Sequence, residues 1–323
     1  MPNGGIAVAA TPLILDTDPG VDDAFAIALA AASPEVDLRA VTTVFGNVGI
    51  EQTTSNALRL LALCDRKDVP VAQGADRPLV YPHPFRATYV HGSDGLSGRR
   101  ELLPMPSRGL DPADAVDLMA LVLRTTEQPV TIAAIGPLTN IALLLATHPG
   151  LKPAIGRLVV MGGALDGGNV TARAEFNVWS DPEAARRVLT EEDLPTVLVP
   201  MDLTMRCAVD KDWLAQLEVA GPVGSTLVSL TPIYLDHYRR VLGREALVLH
   251  DAVALAEAVR PGILGCTPLP LDVECSLGPA RGVVLADRRV ISMDEPPTGR
   301  PVELALDTDL AELHRFLLDR LGR

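Results

Sequence analysis

Residues 13–24 read Leu13-Ile14-Leu15-Asp16-Thr17-Asp18-Pro19-Gly20-Val21-Asp22-Asp23-Ala24. The run 13–15 is apolar on every side, as in a short strand buried on both faces of a parallel sheet. A Pro-Gly pair then turns the chain, and residues 23–32 read as a helix. Asp16, Asp18, Asp22 and Asp23 place four carboxylates within eight residues around that turn. In a parallel sheet the carboxyl end of a strand faces the ligand crevice. Carboxylates crowded there repel one another unless a cation offsets their charge. An all-oxygen set suits a hard ion, Ca²⁺ or Mg²⁺, over a soft one. Asp22 and Asp23 have a plainer reading as well, since acids at a helix start gain from the helix dipole.

Outward from this unit, short apolar runs alternate with longer amphipathic ones. Strands are expected at 38–44, 69–72, 130–134, 158–161 and 196–199. Helices are expected at 50–64, 111–125, 138–147 and 182–189, with Asp111 as N-cap and Pro112 in the first turn of the second. The pattern predicts an α/β fold: a mostly parallel, Rossmann-like open sheet with helices on both faces. The C-terminal third adds a mainly helical stretch at 207–260, short β-type runs at 271–274, 283–285 and 290–292, and a last helix at 310–321. Neither a linker nor a repeat interrupts residues 1–323, which read as one domain. The irregular stretches 73–110 and 162–181 are long for a compact domain, and such loops are often functional.

Composition narrows the class. Of 323 residues, 48% are hydrophobic and 21% charged, enough to build a core; aromatics are only 3%, so that core is Ala, Leu, Val and Ile. The formal net charge of −13 argues against a nucleic-acid partner held by a basic surface. Cys64, Cys207, Cys266 and Cys275 form no CxxC pair, so they suggest neither a zinc site nor a disulfide framework and read as reduced thiols of a cytoplasmic protein. The N-terminus lacks the basic start of a signal peptide. The apolar region 132–146 is interrupted by Gly136, Pro137, Thr139 and Asn140, so no stretch predicts a membrane span. Without GxGxxG or Walker patterns, no nucleotide cofactor is implied.

An Asp-x-Asp after a strand also resembles the start of haloacid-dehalogenase-type phosphatases. Those need a lysine to balance the phosphate, and Lys67, Lys152 and Lys211 lie near helix ends or starts. A stronger resemblance runs along the chain. DTDPGVDDA (16–24) looks like the signature of the inosine-uridine-type nucleoside hydrolases. Phe45-Gly46-Asn47, His91-Gly92-Ser93-Asp94-Gly95-Leu96, Gly136-Pro137-Leu138-Thr139-Asn140, Met161-Gly162-Gly163, Glu175-Phe176-Asn177, His250-Asp251 and Arg281-Gly282 resemble further elements of that family, in family order.

The resemblance implies Ca²⁺-dependent hydrolysis of the N-glycosidic bond of ribonucleosides, giving free base and ribose. Such chemistry needs an activated water, a stabilised oxocarbenium-like ribose and a base able to leave. It implies Asp18 as general base and Ca²⁺ ligand, with Asp23, Asp251 and the backbone carbonyl of Ile135 as the other metal ligands. Asp22, Asn47 and Asn177 would hold the sugar hydroxyls, and Asn169 and Glu175 its 5′ end. Met161 would touch the ribose. His250 would serve the leaving base, since histidine titrates near neutrality. His91 lies in a Gly-rich loop over the substrate, and the family implies a homodimer or homotetramer.

Several of these residues have plainer readings. Asn47 and Asn169 follow glycines and suit turns. Glu175 and Asn177 alternate along an expected extended stretch, which a solvated face would also explain. Asp251 could cap a helix over 252–259. Tyr234, His237 and Tyr238 share a helix face by their i, i+3, i+4 spacing, and either meet the base or pack in the core. Met161 suits packing equally. A non-catalytic nucleoside or sugar binder is the remaining alternative, against which Asp18 stands, because a binder needs no base there.

Overall fold

The computed structural model describes residues 9–81, 86–106, 108–289 and 299–323. The first half follows the expected alternation: β1 (Thr11–Thr17), α1 (Val21–Ala32), β2 (Val36–Thr43), α2 (Ile50–Leu63), β3 (Val71–Gln73), a short α3 (Thr88–His91), α4 (Ala115–Thr125), β4 (Val130–Ala134), α5 (Thr139–Thr147), β5 (Ile155–Met161), the one-turn pieces α6 (Phe176–Ser180) and α7 (Pro182–Arg186), and β6 (Thr196–Val199). The second half holds α8 (Met201–Thr204), β7 (Val209–Asp210), α9 (Lys211–Ala220), α10 (Pro222–Ser229), α11 (Pro232–Leu242), β8 (Ala246–Leu247) and α12 (His250–Val259). It closes with β9 (Leu264–Val273), β10 (Val284–Ala286), β11 (Arg300–Thr308) and α13 (Leu310–Leu321).

The main sheet has the order β3-β2-β1-β4-β5-β6-β11-β9-β10. It is parallel from β3 to β11, then antiparallel through β9 and β10. The chain winds outward from β1 in one direction and from β4 in the other. These two strands pair as neighbours, so the strand order reverses between them, which is where an open α/β sheet forms its ligand crevice. The α/β, Rossmann-like expectation therefore holds, with helical and short β additions in the C-terminal part.

Alternation along β1 explains why both faces are covered. Leu13 and Leu15 join a core with α1, α12 and α13, whereas Ile14 joins a second core with α4 and α5. With so few aromatics the helices approach through small side chains. Every residue of α12 is buried, Val21 to Ala30 of α1 are buried, and the two helices pack together. Both begin beside the β1–β4 crevice, which is how Asp22, Asp23, His250 and Asp251 reach one place.

Several elements differ from expectation, each for a local reason. α4 begins four residues late: Asp114 is its N-cap and accepts from Asp117 N at 2.9 Å. Asp111 instead accepts from Ala113 N at 3.1 Å, leaving Pro112 outside the helix. The run at 182–189 is α7 followed by a π-helical turn over Arg187–Glu191. The run at 271–274 is the end of the longer β9, hidden in the sequence by Pro268 and Pro270. Those prolines lie beyond the stretch Leu271–Val273 that pairs with β10, where a missing N–H costs no ladder bond on that side. β11 falls largely within 271–306, a stretch read as β-type, but no run of its own was expected there. Within 207–260, β7 and β8 form a small antiparallel pair amid the helices. The run expected at 290–292 lies outside the described residues. Among the described residues no helix is long and apolar enough to cross a membrane.

One side chain ties the crevice floor together. Asn140, in the first turn of α5, donates through Nδ2 to Asp16 Oδ1 at 2.8 Å and to Thr43 O at 3.0 Å. Its Oδ1 accepts from Ala75 N at 2.9 Å. Asn140→Ala strands the Ala75 N–H, while Asp16 Oδ1 and Thr43 O keep Thr42 Oγ1 and Gly74 N as donors, so it is expected to cost about 1–3 kcal/mol of unfolding free energy, measured by urea denaturation.

Candidate active site

The crevice opens into a cavity of about 380 Å³ at the carboxyl ends of β1, β2, β4 and β5. Asp18 and Asp22 line it from the β1–α1 turn, Asn47 from beyond β2, Ile135 from beyond β4, and Met161 from the end of β5. Asn169, Glu175 and Asn177 come from the loop and turn after β5. His91, Tyr234, Tyr238, His250 and Asp251 complete the expected set. Asp23 lies beneath the lining, with no exposed surface.

Asp18 sits in a slot that admits no side chains around it. A Cβ on Gly136 would lie 2.5 Å from Asp18 Oδ1, and one on Gly46 would overlap Oδ2. Asn47 N donates to Oδ2 at 2.7 Å. The Phe45-Gly46-Asn47 and Gly136-Pro137 motifs thus shape the seat of one carboxylate. Its pKa is raised well above the ordinary range, first by burial, then by the charge on Asp23.

Asp22, Asp23 and Asp251 bring ligand oxygens within 4.8 Å of one another. Asp18, also expected to touch the metal, lies outside that trio, and Asp22, expected to bind sugar, lies inside it. Asp23 is the most firmly held. Thr17 Oγ1 donates to its Oδ1 at 2.5 Å, while Gly20 N (2.9 Å) and Asn47 Nδ2 (3.2 Å) donate to its Oδ2. Asp22 Oδ1 is buried without a hydrogen-bond partner. Burial, followed by the charge of Asp23, pushes Asp22 up to about 8. Burial and the surrounding carboxylates raise Asp251 well above the ordinary range. Asp251 is not the N-cap of its helix: Leu249 holds that position, and Asp251 is the second helical residue. Clustered oxygens, mutual repulsion and an orphaned carboxylate oxygen together fit a hard divalent cation.

Ile135, which lines the same cavity, accepts through its carbonyl from Asn177 Nδ2 at 3.0 Å, and the same nitrogen is 3.2 Å from Met161 O. Glu175 and Asn177 do not alternate along an extended stretch. Glu175 is the N-cap of α6 and accepts from Asn177 N at 2.8 Å and Val178 N at 3.2 Å, as well as from Gly163 N at 2.7 Å. Capping bends the chain into a helical turn, which alternation in the sequence could not reveal. Burial still outweighs these bonds and lifts Glu175 to about 7. Asn169 lies in an exposed turn closed by its own N–H on Ala174 O at 3.2 Å.

Beside the carboxylates stands a group of rings, with His91 Nδ1 3.9 Å from Asp22 Oδ1. His91 ends α3 with Nδ1 accepting from Val21 N at 3.1 Å, so its proton is on Nε2. Tyr234 donates to Val248 O at 3.0 Å, and Tyr238 Oη is 2.6 Å from His250 Nε2. The other nitrogen of His250 is 2.5 Å from Thr204 Oγ1. His250 does not titrate near neutrality as expected: burial, then the nearby His237, pushes it down to about 3, and His91 falls to about 3 for the same leading reason. Sequence reading missed Thr17 and Thr204, whose hydroxyls matter only through partners 6 and 46 residues away. It also missed the lining residues Tyr89, Met201 and Met205, for which no local motif gives a signal.

Buried carboxylates and rings together line a nucleoside-sized cavity at a strand-order reversal, as suits a nucleoside N-glycosyl hydrolase. The comparison with solved structures agrees. A plant nucleoside hydrolase, the PpNRh1 enzyme, matches with a TM-score of 0.90 at 30% identity, covering 97% of this chain and 99% of that one. A purine-preferring ribonucleoside hydrolase from Gardnerella vaginalis matches with a TM-score of 0.87 at 29% identity, over 97% and 98%. In sequence, the pyrimidine-specific ribonucleoside hydrolase RihA of Escherichia coli O1:K1 / APEC is 37% identical over 314 residues, 97% of this chain and 98% of that protein. RihA of Enterobacter sp. (strain 638) is 37% identical over 316 residues, with the same coverage. The family described as inosine-uridine preferring nucleoside hydrolase matches residues 13–314, and the chain belongs to it. The protein is a ribonucleoside hydrolase.

The raised carboxyl groups fix the sign of a pH effect. Burial lifts Asp16 from an ordinary 3.8 to about 7, Asp22 to about 8 and Glu175 from 4.5 to about 7. The folded protein therefore keeps protons that the unfolded chain releases. This stability is complete below the unfolded values and is lost as pH rises through the folded ones. In chelator, the melting temperature is expected to fall between pH 5 and 8, with a hard divalent cation restoring it at pH 8. Thermal melts that stay level across that range without metal would contradict the electrostatic account.

Proposed function

We propose that the protein is a Ca²⁺-dependent ribonucleoside hydrolase that releases ribose and free base, acting on pyrimidine ribonucleosides ahead of purine ones. The observation that carries the metal-dependent mechanism is the buried pair Asp23 and Asp251, whose oxygens lie with one of Asp22 within 4.8 Å of one another, beside the seated carboxylate of Asp18. The 37% identity to relatives named pyrimidine-specific, over nearly the whole chain, supports the base preference.

Asp23 and Asp251, with Asp18 and the Ile135 carbonyl, are the groups that would hold the ion. When bound, the ion supplies Lewis-acid chemistry, making water easier to deprotonate and orienting it. Asp18 is the base. Its carboxylate is fixed by the Asn47 N–H and by the walls at Gly46 and Gly136, which hold it in one orientation for proton abstraction. The sugar hydroxyls go to Asp22, Asn47 and Asn177. Because the amide nitrogens of both asparagines are committed to Asp23, Asp18 O, Ile135 O and Met161 O, their carbonyl oxygens are the free acceptors. Glu175 and Asn169 take the 5′ end, and Met161 packs against the ribose. The surrounding negative charge favours the oxocarbenium-like transition state. On the leaving side, neutral His250 acts through the Tyr238 hydroxyl it touches.

A panel of uridine, cytidine, inosine and adenosine, read by released base with and without EDTA, tests the proposal. Release is expected to be fastest with the pyrimidines, to vanish in chelator and to return with Ca²⁺. Turnover that survives thorough chelation would remove the metal from the reaction. Asp18→Asn is expected to lower kcat by about 10²–10⁴-fold with the fold intact by circular dichroism. A variant with near-normal kcat would remove Asp18 from the role of base.

A further inference from the structure

We infer that Thr17 is a positioning residue that sets the Asp23 carboxylate in its cation-binding orientation before any ion arrives. This rests on the reading of Asp23 as a metal ligand. Thr17 is the last residue of β1, and alternation along the strand turns its side chain to the face opposite Asp16, toward the start of α1. It is fully buried, and its hydroxyl lies 2.5 Å from Asp23 Oδ1. An ionised carboxylate only accepts, so the single hydroxyl proton points at Asp23.

The two oxygens of Asp23 are thus held separately. Thr17 fixes Oδ1, and Gly20 N and Asn47 Nδ2 fix Oδ2. The carboxylate cannot turn about its last bond without breaking these contacts. Asp22, one residue earlier, carries an oxygen without a hydrogen-bond partner among the described residues. Within the trio, Asp23 is therefore an anchored ligand, and among the described residues Thr17 is the side-chain hydroxyl that donates to it. Each carboxylate oxygen keeps lone-pair directions beyond those its donors use, so the anchoring does not compete with binding.

The test is calorimetric titration of Ca²⁺ into the metal-stripped full chain without nucleoside, a readout independent of turnover. Thr17→Val keeps the shape and removes the donor, and is expected to weaken Ca²⁺ binding by about 10–100-fold, the usual cost of losing a partner behind a metal ligand. Thr17→Ser restores the hydroxyl and is expected to bind as the wild type does. Thr17→Cys, a weaker donor, is expected to fall between them. Valine binding indistinguishable from wild type overturns the inference, as does equal affinity of the serine and cysteine variants should the valine variant not fold. A wild-type chain that binds no Ca²⁺ overturns the metal reading itself, which separates the two failures.

Discussion

Crowded, buried negative charge is the constraint around which this molecule is arranged. Asp16, Asp18, Asp22, Asp23 and Asp251 are all buried where β1, α1 and α12 converge. Two ionised carboxylates about 4–5 Å apart repel by about 3–4 kcal/mol at an effective dielectric of 20. Opening both α1 and α12 at this point offsets part of that cost through the helix dipoles. The rest appears as carboxyl groups with raised pKa, and it is the driving force for a cation. A site of this kind trades stability of the empty protein for affinity when filled.

The fold supplies what the charges need. At the reversal between β1 and β4, adjacent strands send their following segments to opposite faces and leave an open crevice. Around it the contacts are close enough that glycine is required: Gly46 and Gly136 both abut Asp18. Asn140 ties the ends of β1 and β2 to the segment after β3, so the floor of the crevice is fixed by hydrogen bonds as well as by packing. Small residues in α1 and α12 let these helices pack closely, which brings a carboxylate near residue 251 to others near residue 22.

The ring-lined part of the cavity follows different physics. Its rings are buried, and burial favours neutral forms, so His91 and His250 are held uncharged while Tyr234 and Tyr238 keep their protons.

Much of this was legible in residue order. The apolar run 13–15, the β-α alternation and the acidic turn gave the sheet type and the end at which chemistry occurs, because strand burial, helix periodicity and charge crowding are local properties. The motif set also identified the residues that meet around the cavity, from Asp18 to Asp251. Other features depend on contacts between distant segments. β9 was obscured by prolines whose harmlessness depends on where β10 stops pairing. Glu175 proved to be a cap, accepting from Asn177 N and Val178 N, and only the folded chain adds Gly163 N to it. Thr17 and Thr204 are ordinary threonines until Asp23 and His250 lie against them, and His250 is neutral only because the surrounding chain excludes water. Chemical identity and periodicity are carried by the chain in one dimension; protonation states and hydrogen-bond partners arise from burial and proximity, which exist only once the segments have packed.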